Sequence, residues 1–426
     1  MRRLKNLKYV GLVVVVVAAG LGGGANANSW EPTSTLEQSN SSTLWPSAMP
    51  PGSVPITVSV QGSGTYDSNA VRGSAAYAAH LGVPLNDWSF APEAQLEFVR
   101  TNGRIAGFLH VLGNYNFYSR DTVLDYGRME ANGGLQARFA RCVVGLESDF
   151  QYHQTNFQDE PVLLVNNNES TESIGINGNC PRPIGFAPVA SFNSEWGQYT
   201  AAALKSSNFR VYDAVGGASY SRPVLGTVSL YGEYRNAAYP NRDILLGGGG
   251  LTKDGYNSYS GGLRIERAIG ARMSGSAHIA YTSLVPSTSA SAKFRGITYG
   301  AELSYKVSPK LRLHGQFDRD TVPSIVPTST FEVRRRLDGS LLYQLNRRIS
   351  IEVGAGDVSR SYEGSALLSG ATAVHDEAVD GYGAVHVPVG RRFEIVLRGT
   401  HEHRDSSLPE FTYTSNRATL SVAATF

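Results

Sequence analysis

Arg417-Ala418-Thr419-Leu420-Ser421-Val422-Ala423-Ala424-Thr425-Phe426 decides the fold, because its side chains sort by parity. Ala418, Leu420, Val422, Ala424 and Phe426 share one face of an extended chain, and Arg417, Thr419, Ser421 and Thr425 share the other. A helix would scatter these residues around its surface, so the two-residue period reads as a strand. Upstream, Leu311, Leu313, Gly315 and Phe317 alternate with Arg312, His314, Gln316 and Asp318. Ile349, Ile351, Val353 and Ala355 alternate with Ser350, Glu352 and Gly354, and Phe393, Ile395 and Leu397 with Glu394, Val396 and Arg398. Ile105 to Leu112 is a weaker instance.

The connections have a rhythm of their own. Short ones sit at Thr101-Asn102-Gly103, Pro223 to Gly226, Ala268-Ile269-Gly270, Val307 to Lys310, Asn346-Arg347 and Pro388-Val389-Gly390. Longer polar ones lie between them, at Tyr239 to Gly255, Val285 to Phe294, Tyr362 to His375 and Arg404 to Glu410. Strands of alternating polarity joined by alternately short and long connections are the signature of a transmembrane barrel, with periplasmic turns and extracellular loops. Strand starts are expected near 55, 86, 104, 128, 142, 206, 226, 256, 271, 295, 310, 329, 348, 377, 391 and 411. That makes an all-β, antiparallel, up-and-down barrel of about sixteen strands, within a range of roughly fourteen to eighteen. Lipid offers no hydrogen-bond partners, so such a sheet must close without an edge. A soluble sandwich or solenoid would carry longer Leu/Ile/Val runs for its two-sided core.

Residues 1–27 have a different character. Arg2, Arg3, Lys5 and Lys8 precede the apolar run Val10 to Ala19, and Ala25-Asn26-Ala27 supplies small residues for cleavage after Ala27. This is the layout of a secretory signal peptide. Residues 28–54 are rich in Ser, Pro and Thr and read as a periplasmic leader, with the barrel over 55–426. Without the signal, the chain has 38 − 4 = 34 basic against 36 acidic residues, a formal charge of −2. No concentrated basic patch points to nucleic acid, and no apolar run after Ala27 is long enough for a transmembrane helix.

Parity places Arg312, Asp318, Arg334, Arg336, Glu352, Glu394 and Arg398 toward the lumen, together with Tyr118 and Tyr231. Inward charges solvate a pore and pair with one another, and ionised groups can also bind sugar hydroxyls. Asn156 to Ser206 shows no clear alternation and reads as a long loop that constricts the lumen or covers its mouth. Cys180 lies in that stretch and Cys142 at a strand start. An oxidising periplasm favours a Cys142–Cys180 bond. The expected topology opposes it, with Cys142 near the periplasmic end and Cys180 outside, so the pairing stays open. Gly247 to Lys253 lacks P-loop spacing, and His401 and His403 face away from Glu402 on a strand, which does not suit a closed metal site. No cofactor is indicated, and no Gly-x-Ser-x-Gly or Ser/His/Asp grouping stands out, so an enzyme is not expected.

Several motifs resemble the β-barrel porin-2 family. They are Tyr66-Asp67-Ser68-Asn69 after the first strand, the hairpin Tyr305-Lys306-Val307-Ser308-Pro309-Lys310-Leu311, and the strand ends Arg360-Ser361-Tyr362-Glu363-Gly364 and Arg404-Asp405-Ser406-Ser407. The close from Thr412 to Phe426 is similar to the family's last strand. The resemblance implies an outer-membrane barrel that acts as conduit or scaffold in exopolysaccharide or capsule export, beside a periplasmic polysaccharide-export protein. It also implies that the assembly machinery reads Phe426, and that outer-membrane lipid and lipopolysaccharide surround the barrel. The alternatives are a diffusion porin for small solutes and, from another class, an outer-membrane lipid hydrolase. A Ser/His or carboxylate group at the lipid-facing rim would favour the last.

Overall fold

The computed structural model describes residues 56–426 except 155–166, 246–249, 271, 290, 325 and 365–374. The signal peptide, its cleavage after Ala27 and the leader 28–54 lie outside the described residues.

One antiparallel sheet of eighteen strands closes on itself. The first third comprises β1 (Ile56–Asp67), β2 (Asp87–Asn102), β3 (Ile105–Tyr118), β4 (Tyr126–Phe139), β5 (Cys142–Gln154) and β6 (Asn168–Asn179). Then follow β7 (Gly185–Tyr199), β8 (Phe209–Arg222), β9 (Gly226–Leu245), β10 (Leu251–Ile269), β11 (Met273–Pro286) and β12 (Phe294–Ser308). The circuit ends with β13 (Leu311–Pro323), β14 (Ser329–Gln344), β15 (Ser350–Gly364), β16 (His375–Val389), β17 (Phe393–Ser406) and β18 (Tyr413–Thr425). Each strand pairs with its neighbours in sequence, and β1 pairs with β18 through Ser63↔Ser421, Thr65↔Thr419 and Asp67↔Arg417. Across this seam the Ser63 and Ser421 hydroxyls are 2.9 Å apart and those of Thr65 and Thr419 3.0 Å.

The count exceeds the expected sixteen by β6 and β7, which form a hairpin inside the stretch read as one long loop. The outward face of β6 offers only Ile174 and Ile176 as large apolar residues, and β7 contains Pro188. Pro188 lies one residue beyond the Val189↔Asn179 end of the β6 ladder, so a strand containing it still forms there. This hairpin also corrects the cysteine topology. Cys180 follows β6 and Cys142 opens β5, so both stand at the same end of the sheet, and the structure joins them in a disulfide with S–S 2.00 Å. The turn before Cys142 is made by Ala140 and Arg141, with Ala140 in the left-handed region at φ 53°.

Alternation holds around the circuit. Large apolar side chains such as Leu263, Ile279, Leu337, Leu397 and Leu420 are exposed on the outer face. Aromatic residues on that face gather toward its two ends. Trp88, Phe90, Phe117, Tyr234, Tyr259 and Tyr281 stand toward the long-loop end, and Phe139, Phe186, Tyr305, Tyr343, Phe393 and Phe426 toward the short-turn end. An apolar band between aromatic girdles is how a barrel meets a bilayer. The helix α1 (Ala75–Leu81) lies in the β1–β2 connection, opened by the Ser74 hydroxyl accepting from Tyr77 N and closed by Gly82 at φ 69°.

Candidate functional site

The lumen is lined by the other parity, and three regions of its wall differ. The first is at the long-loop end of β9, β10, β13 and β14. Arg235 on β9 donates to Asp213 on β8 (3.0 Å) and, across the lumen, to the carbonyl of Thr321 on β13 (2.9 Å). Glu233 (2.9 Å) and Asp320 (3.5 Å) complete its ion pairs. The Tyr239 hydroxyl donates to the Thr330 carbonyl at 2.7 Å and accepts from Ser324 N at 2.8 Å. Arg242 stacks on the Tyr239 ring, its guanidinium carbon 3.9 Å from the ring centroid. It donates to Asp254 (3.2 Å) and to the carbonyls of Ser206 (3.1 Å) and Ser329 (2.5 Å). Tyr199, Leu204, Tyr256, Leu284 and Phe331 pack around these groups as a buried core. Segments far apart in sequence thus close this part of the lumen from side to side. Satisfied polar groups in such a dry setting are stable, and removing one partner is costly.

The second region is formed by β1, β15, β16, β17, β18 and the β1–β2 connection. Arg72, at φ 56°, reaches Asp67 (2.8 Å) and Glu402 (3.4 Å), and Glu402 also holds Arg417 (3.0 Å) and the Tyr413 hydroxyl. Ser415 donates to Asp67 at 2.6 Å. Beside them Asp376 bridges the buried Arg404 (2.7 and 2.6 Å) and Arg360 (3.0 Å). Ser74 N donates to the Glu410 carbonyl (2.8 Å) and the rings of Tyr77 and Phe411 lie 6.0 Å apart, so the β1–β2 connection is fastened to the β17–β18 connection. Burial opposes the charge of Arg72, yet Glu402 and Asp67 hold its pKa above the usual arginine range.

The third region, the lumen face of β2 to β7, is different in charge. Glu93, Glu130, Glu147, Asp149 and Glu195 face inward and are half-buried. Apart from Arg138 at the short-turn end, Arg128 is the one inward Lys or Arg among the described residues of these strands, and Glu130 takes it (Nε to Oε1 2.7 Å). Two of the other carboxylates accept from amides. Asn114 donates to Glu93 (3.3 Å), and Asn132 (3.1 Å) and Gln151 (3.0 Å) donate to Asp149. An amide satisfies a carboxylate oxygen without supplying a countercharge, so carboxylates outnumber cations on this wall.

The seven residues singled out from parity all stand on the lumen side, and the structure gathers only some of them. His386 lies between Glu352 (3.2 Å) and Glu394 (3.3 Å). Tyr382 donates to Glu352 at 2.6 Å, and the Arg398 guanidinium lies 3.7 Å from the Tyr382 ring centroid. Asp318 stands opposite Arg336, which pairs with Asp338 on its own strand, and Arg334 stands opposite Asp320 and Arg360. Arg312 lies opposite Lys306 and Leu342, away from the others. Tyr118 faces inward opposite Ser89, and Tyr231 meets the Arg264 guanidinium at 5.7 Å. His386 and the cross-lumen partners Arg235, Arg242 and Asp254 had no local signal. The run of inward carboxylates on β2 to β5 was readable from parity once those strands were placed.

Residues 252–426 match the family described as Putative beta-barrel porin 2. That stretch runs from β10 to the end of β18, the part of the chain that carried most of the family-like motifs. The closed barrel, apolar outside between two aromatic girdles, has the form of a bacterial outer-membrane barrel, in which short turns lie in the periplasm and long connections outside. Solved structures of similar fold include OccK2 (OpdF) of Pseudomonas aeruginosa, at 11% identity and TM-score 0.45, covering 87% of this chain and 97% of that one. The siderophore receptor PirA of Acinetobacter baumannii is similar at 8% identity and TM-score 0.43, covering 88% and 81%. The outer membrane protein opdK of Pseudomonas aeruginosa is similar at 11% and 0.42, covering 87% and 98%. Among curated proteins, none matches this sequence.

Proposed function

We propose that the barrel is a passive channel for small solutes that favours cations. The observation that carries this reading is the lumen face of β2 to β7, where the inward carboxylates Glu93, Glu130, Glu147, Asp149 and Glu195 outnumber the inward arginines Arg128 and Arg138, and Glu93 and Asp149 accept from amides. Carboxylates in a confined, low-dielectric wall raise the local concentration of cations and lower that of anions. On the opposite wall Asp376 and Glu402 are paired with arginines, while Lys306, Arg312, Arg334 and Arg398 place positive charge there, so the two walls differ in sign. Reversal potential across a planar bilayer in a salt gradient tests the proposal. The expected result is conductance with a preference for potassium over chloride. A preference for chloride, or no conductance from folded protein, overturns it.

The export role implied by the family resemblance has its own test, surface and secreted polysaccharide in a deletion strain with complementation. Unchanged polymer removes that role. The acidic wall speaks against an anionic polymer as cargo, and a neutral polysaccharide is the form of the export reading it leaves open. The lipid-hydrolase reading gains no support at the outward rim. There His401 meets Asn416 (2.8 Å) and His403 meets Thr414 (2.9 Å), and among the described residues neither histidine contacts a carboxylate.

A further inference from the structure

The eight short turns of the barrel share a property that the lumen does not use. Arg104 stands beside Ile105, Arg141 near Phe139, and Arg182 near Ile184. Arg222 precedes Val224, Arg272 follows Ile269, and Lys310 follows Pro309. Arg347 and Arg348 follow Leu345, while Arg391 and Arg392 lie between Val389 and Phe393. Seven turns therefore contain a cation, the eighth has one at the strand end before it, and none contains Asp or Glu. These cations are exposed, and among the described residues none of them forms an ion pair. The whole chain is nearly balanced, with 38 basic and 36 acidic residues, so composition does not produce the collar. The opposite end mixes signs, as in Arg120 with Asp121 and Asp125 between β3 and β4.

Two features identify what the collar meets. It runs around the full circumference, whereas a protein partner would need a patch on one sector. Its apolar neighbours are exposed, Ile184 at 66% and Val224 at 74%, at the end of the barrel that carries the short-turn aromatic girdle. Inward positions near this end mix signs, with Glu97, Glu147, Glu266 and Glu394 beside Arg138, Arg264, Lys306 and Arg312, so the excess of cations belongs to the turns and not to the lumen. A cation on a long stem beside an outward apolar residue suits the headgroup level of a bilayer. We propose that the periplasmic rim is a docking collar for the phosphates of anionic phospholipid in the inner leaflet of the outer membrane.

Lipid retained by the full-length barrel tests this. The protein is placed in nanodiscs of equal phosphatidylglycerol and phosphatidylcholine, partly delipidated, and the co-purified lipid is weighed by mass spectrometry. The expected result is an excess of phosphatidylglycerol of roughly fivefold beside the protein, falling as salt is raised. A variant carrying Arg104→Gln, Arg141→Gln, Arg182→Gln, Arg272→Gln, Arg347→Gln and Arg391→Gln should bring the two lipids close to parity. The salt series on the unaltered protein decides the matter even if that variant does not fold. Equal retention of both lipids at low salt overturns the proposal. So does capture of polygalacturonate by the barrel in phosphatidylcholine discs at the expense of lipid selectivity.

Discussion

The lumen wall of β2 to β7 and the closed sector of β9, β10, β13 and β14 are built by the same alternation, yet they use their inward polar groups in opposite ways. On β2 to β7 Glu93 and Asp149 find amides on the next strand and stay half-exposed. In the closed sector Arg235, Tyr239 and Arg242 find partners on the far side of the barrel and are buried at 8%, 0% and 2% exposure. A polar residue in a barrel therefore becomes wall or core according to where its partner lies, and no local pattern distinguishes the two.

That contrast can be broken by substitution. Arg242→Ala should have the largest effect, because it strands the buried carboxylate of Asp254 and two carbonyl groups. A loss of about 3–5 kcal/mol is expected, read from urea midpoints by heat-modifiable gel migration. A loss below about 1 kcal/mol would mean that the sector is not a core at all. Replacing Cys142 and Cys180 by Ser together opens a loop with 38 residues of sequence separation. It should cost about 3 kcal/mol in the same assay, an effect that a reducing agent reproduces on the unaltered protein. Tyr239→Phe keeps the ring under Arg242 and removes one hydroxyl shared by Thr330 and Ser324, so about 1–2 kcal/mol is expected. The smallest stability change, within about 0.5 kcal/mol, is expected for Glu130→Gln, Asp149→Asn and Glu195→Gln combined. These substitutions should instead move the reversal potential toward zero. Stability loss without a change in ion preference would make the wall a second core and end the comparison.

The same contrast explains what was legible beforehand. All sixteen expected strands are present, since the outer face must be apolar at every second position and repeats that demand locally. β6 and β7 escaped because their outward positions include Glu172, Pro188, Ala190 and Ser194, too mixed to show a period. Losing that hairpin misplaced Cys180 by one crossing of the membrane, although both cysteines were recognised. The inward parity of Arg312, Asp318, Arg334, Arg336, Glu352, Glu394 and Arg398 followed from the strands. The joining of Glu352 and Glu394 through His386 did not, because it depends on the register of three strands. Arg235 and Asp320 are farther still, on β9 and β13, and nothing short of the closed barrel brings them together.

The disulfide has a bearing on how the barrel comes to exist. Cys142 and Cys180 are neighbours at the periplasmic edge, and the segment between them is β5, its connection and β6. Export delivers the chain, still without its membrane-embedded sheet, into a compartment that oxidises thiols. The bond needs no part of the bilayer to form, so it can precede insertion. A hairpin tied at its base while waiting has already given up the conformational search for its own ends. It would enter the growing sheet with its start and finish held side by side, leaving only the lateral zipping to be done.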